Sequence, residues 1–163
     1  MTFKQTFAIS ALVLAASLTA APYGHADLKG CTAWDLSVQE QEEGRELTAS
    51  ACAKQDTNTI LELRCFGPDV GVRYVPAAEF EFGEKDRDIE YVVDSKARPV
   101  FVQYEGIDGA LGAYVPHDHT VIKMLKAGTS VTIRDPLGVA PEQTFTLKGA
   151  GNAIAHLIAK CPN

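Results

Sequence analysis

The run Ile60-Leu61-Glu62-Leu63-Arg64-Cys65 alternates apolar and charged residues with a period of two. That period predicts a strand with Leu61, Leu63 and Cys65 on one face and Glu62 and Arg64 on the other. Phe66-Gly67-Pro68-Asp69 supplies a turn, and Val70 to Val75 reads as the returning strand. Working backward, Asp56-Thr57-Asn58 is a turn preceded by a strand whose apolar side is Leu47, Ala49, Ala51 and Ala53. Glu42-Glu43-Gly44 turns the chain once more, and Trp34, Leu36 and Val38 alternate in the strand before it. Working forward, Ile89, Tyr91 and Val93 alternate in the same way, and Asp94-Ser95 and Arg98-Pro99 flank a connection to a strand from Val100 to Tyr104. A bend at Gly106 to Gly109 leads to a strand from Ala110 to Val115.

Two helical patterns come late. Asp118 and Thr120 are the expected caps of a short helix carrying Val121, Ile122, Met124 and Leu125 and stopped by Gly128. Val131 and Ile133 form a strand, Asp135-Pro136-Leu137-Gly138 a turn, and Phe145 and Leu147 share one face of the last strand. Asn152 is the expected cap of a final helix running to about Lys160, in which Ile154, Leu157, Ile158 and Cys161 follow the i, i+3, i+4, i+7 rule. The fold class is therefore mainly β (α+β). It is an antiparallel β-sandwich or barrel-like sheet with two short helices near the C-terminus.

Residues 1–26 read as a secretory signal peptide. Lys4 is their only charge, an apolar run extends from Phe7 to about Ala21, and Gly24-His25-Ala26 places small residues at the cleavage offsets. Cleavage is expected after Ala26, with Ala21 as the alternative. The apolar run falls short of the roughly 20 residues a membrane span needs, so no span is expected after cleavage. Gly30-Cys31 suggests a lipidation site, but Lys29 and the distance from the apolar run argue against it. Residues 27–163 then form a single disulfide-stabilised β-rich domain in the periplasm or outside the cell. The chain carries 15 Lys and Arg against 21 Asp and Glu, a formal charge of −6, and losing Lys4 makes the remainder more acidic. Such a charge makes the domain a poor candidate for binding nucleic acid or anionic lipid, and no nucleic-acid partner is expected.

Cys31, Cys52, Cys65 and Cys161 are an even set in an exported chain, with no Cys-x-x-Cys spacing, and so read as two disulfides. Cys65 and Cys161 each share a face with core residues and are expected to meet. Cys31 and Cys52 have the parity opposite to the apolar residues of their strands, which predicts a second bridge on the outer face of one hairpin.

His117-Asp118-His119 holds three candidate metal ligands, set against the reading of a polar turn that opens a helix. Glu79, Glu81, Glu84, Asp86 and Asp88 form an acidic run, broken by Lys85 and Arg87, that reads as a solvated loop or as a patch for a basic partner. His156 is expected to lie exposed on the last helix. There is no Gly-x-Ser-x-Gly and no phosphate-binding loop, so neither a catalytic residue nor a cofactor is assigned.

The order of motifs from Leu61-Glu62-Leu63-Arg64-Cys65 through Tyr91-Val92-Val93-Asp94 and Ile122 to Gly128 continues with Val131-Thr132-Ile133 and Phe145-x-Leu147-x-Gly149 and ends at Cys161. It resembles the bacterial periplasmic proteins of the invasion-associated locus B type, and also the type VI secretion accessory proteins of the TagO kind. The resemblance implies a non-enzymatic binding or accessory role in the envelope or in host interaction, with another envelope or host protein as partner. Inhibition of a basic hydrolase such as lysozyme is the alternative that the acidic charge raises.

Overall fold

Alternation of the kind seen at residues 60–65 recurs along the chain and builds most of the structure. The computed structural model describes residues 32–41, 44–77, 86–106 and 109–162. Its strands are β1 (Asp35–Gln41), β2 (Gly44–Cys52), β3 (Ile60–Phe66), β4 (Asp69–Val75), β5 (Arg87–Val93), β6 (Lys96–Glu105), β7 (Ala110–Pro116), β8 (Ser130–Arg134) and β9 (Gln143–Thr146). Helix α1 (Thr120–Ala127) lies between β7 and β8, and α2 (Ala150–Ile158) follows β9. The strands are ordered β1-β2-β3-β4-β7-β6-β5-β8-β9, and every pairing is antiparallel. The mainly β, α+β expectation holds.

Strand β6 makes the sheet turn a corner. Its first part, Lys96–Val102, pairs with β5, and only Gln103–Glu105 pair with β7. The two halves of the sheet thus fold over one another around a shared core. The far ends also meet: Ala53 bridges Phe145, and the Trp34 indole N–H donates to the Thr146 carbonyl at 2.7 Å. The ladder does not close into a barrel, because that contact is a single bridge.

The inner face carries the residues that the alternation selects. Ala49, Ala51, Leu61, Leu63, Val72, Tyr74, Leu111, Ile89, Tyr91, Ile133 and Phe145 are buried in one cluster. Helix α1 adds Val121, Ile122 and Leu125, and α2 adds Ile154 and Leu157. Full burial of each such aliphatic side chain stabilises the fold by about 2 kcal/mol. The Cys65–Cys161 disulfide joins β3 to the end of α2, with Cα atoms 5.3 Å apart and 96 residues between them in sequence.

Several local expectations are corrected. His119, not Asp118 or Thr120, caps α1: its Nδ1 accepts the Val121 N–H at 3.3 Å. Gly149, not Asn152, is the N-cap of α2, at φ 85°, a left-handed conformation that costs glycine little. Asp94-Ser95 is itself the whole connection between β5 and β6. Both residues have positive φ, 46° and 70°, and Val93 pairs with Lys96, as in a two-residue type I′ hairpin. Arg98 and Pro99 accordingly lie within β6. The charged stretch before β5 is also shorter than expected, since Arg87 and Asp88 belong to the strand. Arg87 is buried and sits 3.2 Å from Asp135, whose carboxylate also accepts the N–H groups of Leu137, Val139 and Ala140 and so shapes the β8–β9 turn.

Candidate functional site

The outer face of β2, β3, β4 and β7 holds the densest cluster of charged side chains described. Strand register arranges it in two cross-strand rows. One row runs Glu62, Arg73, Gly112, and the next runs Thr48, Arg64, Gly71, Tyr114. Each row contains a glycine. A Cβ on Gly112 would collide with the Glu105 carboxylate, and one on Gly71 would sit 3.4 Å from the Tyr114 ring. The gap at Gly112 lets Glu105 reach across from β6, whereas a methyl at Gly71 would meet the Tyr114 ring only at ordinary contact distance.

Glu105 is the hub. One of its oxygens accepts Arg73 Nε at 2.7 Å and Nη2 at 2.6 Å, and the other accepts the Tyr114 hydroxyl at 2.7 Å. Arg73 also donates to Glu62. Burial is nearly complete for this pair, with Arg73 3% and Glu62 8% exposed. Charges removed from water must be matched by partners of good geometry, and here each has them. Burial, then the hydrogen bond to Glu105, raises the Tyr114 hydroxyl above the ordinary phenol value. Glu46 is raised as well, chiefly by burial, against the opposing pull of Arg64.

Arg64 is held differently. Its ion pairs to Glu46 and Glu105 are 3.7 and 3.6 Å long, and its side chain is 22% exposed. Next to it on the strand, two residues along the same face, Phe66 is 56% exposed and packs against Tyr114 with ring centroids 4.3 Å apart and planes tilted by 44°. The outer face therefore passes from a closed ionic centre at Arg73 to an open aromatic edge at Phe66. Both Glu105 oxygens and the Arg73 side of Glu62 are occupied by internal donors, whereas Glu46 is partly exposed and held only by its long ion pair to Arg64.

The candidate residues read from sequence fall elsewhere. Cys65 and Cys161 are brought together as expected. Cys52 lies opposite in parity to Ala51, as expected, but it is fully buried and pairs across the strands with Ile60. It is disulfide-bonded, and Cys31 lies outside the described residues. His117 and Asp118 form the turn into α1, and the His117 Nε2 atom is buried without a hydrogen-bond partner. No group of three His, Cys, Asp or Glu suited to a metal ion occurs among the described residues. Glu79, Glu81 and Glu84 lie outside the described residues. Asp86 accepts the Tyr104 N–H at 3.3 Å, and Asp88 is exposed on β5 opposite Phe101. His156 is exposed, as expected.

Sequence reasoning missed Arg73, Glu105 and Tyr114 as a set. The available signal was Arg73 itself, a charge inside the apolar run Val70 to Val75, with Gly71 and Gly112 as glycines inside strands. Comparison with family models, with curated proteins and with solved structures finds no match to this chain. No helix among the described residues is long and apolar enough to cross a membrane.

Proposed function

We propose that this is an exported, non-enzymatic binding domain of the bacterial envelope, with the Arg64–Phe66–Tyr114 face as its contact surface. The carrying observation is the placement of the Cys65–Cys161 bridge directly beside that surface. Cys65 points inward to the terminal helix while its neighbour Phe66 points outward, so the staple fixes the strand that presents the aromatic edge. Structural disulfides of this kind persist in oxidising compartments, in keeping with a signal peptide at residues 1–26. The motif order of residues 61–161 resembles the invasion-associated locus B proteins, which supports a role in envelope function or host contact with another envelope or host molecule as partner. The ionic centre favours binding over catalysis, because its carboxylates are engaged by Arg73 and Tyr114.

Cell fractionation combined with thiol trapping tests the reading. The mature chain is expected in the periplasmic fraction with its cysteines resistant to alkylation until reduced. A photo-crosslinking residue at position 66 is expected to give a discrete adduct, and one at exposed Leu137 is not. A cytosolic chain with freely alkylated thiols would overturn the proposal.

A further inference from the structure

Resting on that reading, we infer that the Phe66 face receives a basic segment of a protein partner. A lysine or arginine side chain of that segment lies over the Phe66 ring, with its charge against Asp69 and Glu46. Three observations select a cationic occupant. The first is a carboxylate set directly beside the open ring. Asp69 is the cross-strand neighbour of Phe66, and exposed Pro116 continues the row on β7. The row has the parity of Arg64, Gly71 and Tyr114 and so lies on the same outer face. Asp69 is half-buried, and its carboxylate forms no ion pair or hydrogen bond among the described residues. A charge that the fold holds there without an internal partner is matched by a cation arriving from outside.

The second is the ring itself. Phe66 leaves more than half of its surface in water and is backed by Tyr114, with ring centroids 4.3 Å apart. Aromatic faces carry negative potential and attract ammonium and guanidinium groups. Ring and carboxylate therefore draw the same sign of charge to one spot.

The third is the local charge balance. Glu46, Glu62, Glu105 and Asp69 outnumber Arg64 and Arg73. Glu46, 25% exposed, is more open than Arg64, 22% exposed, and Arg64 is already placed between Glu46 and Glu105. The acidic excess opposes an anionic ligand, and the formal charge of −6 on the whole chain steers a basic partner toward it. The face is an open sheet surface, whereas small ligands are held in concave sites, so the cation is one carried by a larger contact. The surface is also organised in advance: the Tyr114 hydroxyl is tied to Glu105 and β3 to Cys161, which lowers the entropy lost on binding.

Titration of the mature, oxidised chain with octaarginine, followed by calorimetry and by amide chemical shifts, tests the inference, with chitohexaose and spermine as comparators. Saturable binding that weakens as salt rises is expected, with shifts centred on residues 64–71 and 114–116. Phe66→Ala, Phe66→Leu and Asp69→Asn are each expected to weaken it about three- to fivefold, the leucine because it keeps apolar bulk and loses the ring. Thermal midpoints of Phe66→Leu and Asp69→Asn equal to that of the wild type would show that the loss is one of contact and not of fold. Phe101→Ala removes the other phenylalanine exposed among the described residues, which lies across from Asp88, and is expected to leave the affinity unchanged. An equal loss with Phe101→Ala would overturn the assignment to this face, and no saturable heat at millimolar octaarginine would overturn the cationic partner. Chitohexaose binding that depends on Phe66 would overturn it in favour of a neutral ligand. Spermine binding as tight as octaarginine and equally dependent on Phe66 would overturn it in favour of a free polyamine. Each of these results would leave the binding-domain reading standing, because that reading is judged by compartment, thiol state and crosslinking from position 66.

Discussion

The two faces of β3, β4 and β7 each enclose side chains, by opposite means. Inward, Leu61, Leu63, Val72, Tyr74 and Leu111 are sealed by aliphatic packing. Outward, the alternate residues of the same strands include Glu62 and Arg73, which are almost as inaccessible and are matched by ionic hydrogen bonds. The inner face needs volume and apolarity, so volume-conserving swaps there cost less than about 1.5 kcal/mol. The outer face needs its whole set of partners, since losing one strands the others without water. The same backbone thus carries a tolerant surface and an intolerant one, back to back.

The largest effect expected is on the inner side. Replacing both Cys65 and Cys161 by Ala removes a cross-link spanning 96 residues, and loop-closure entropy puts the loss at about 4–5 kcal/mol. Urea titration of the oxidised protein and the variant measures it. A loss below about 1 kcal/mol would mean that aliphatic packing alone holds α2 to the sheet, and the inner face would need no staple.

The outer face comes next. Arg73→Met leaves buried Glu62 and half-buried Glu105 without their main counter-charge and is expected to cost about 3–5 kcal/mol. The triple variant Glu62→Leu, Arg73→Met, Glu105→Leu removes the whole set and is expected to recover most of that loss. Should the triple variant be as unstable as the single one, the outer face would depend on its charges in themselves and not on their mutual satisfaction. Gly112→Ala probes the same network more gently. The added methyl pushes the Glu105 carboxylate out of place, and overpacking of this kind costs about 1–3 kcal/mol. A neutral result would show that Glu105 can reach Arg73 by another path.

The contrast also explains what was legible beforehand. Period-two alternation reports which residues share a face, and it found β3, β4, β5 and the inner cluster because hydrophobic burial follows directly from residue type. Parity likewise placed Cys65 and Cys161 together. The same rule read Glu62 and Arg64 as simply outward, since alternation says nothing of whether an outward charge stays in water. Arg73 becomes a partner of Glu105 only through the β4–β7 and β6–β7 registers, and those depend on pairings between strands distant in sequence. Caps were misassigned for a related reason. Asp118, Thr120 and Asn152 all have cap-forming side chains, and backbone geometry selected His119 and Gly149 instead.

The smallest effect isolates burial from bonding. Asp94 resembles Glu105 in function: its carboxylate accepts the Thr129 N–H at 2.9 Å, the Thr129 hydroxyl at 2.6 Å and the Ser130 N–H at 3.1 Å, clamping the β5–β6 hairpin to the start of β8. It does so in solvent, where water competes for every one of those bonds. The Thr129 hydroxyl and backbone bonds hold the Asp94 carboxyl below its ordinary range. A lowered folded-state value means that the contribution is present above the unfolded value of about 3.9 and is lost as pH falls through the folded one. Thermal midpoints of the wild type and Asp94→Asn are therefore expected to differ modestly at pH 7, and the gap should close as the pH falls through the folded-state value. Asn keeps one acceptor oxygen, which limits the difference further. A gap that stayed constant with pH would mean that the carboxylate charge adds nothing to the clamp. A gap as large as that for Arg73→Met would mean that bond count, not exclusion from water, sets the strength of these networks, and the distinction between the two faces would fall with it.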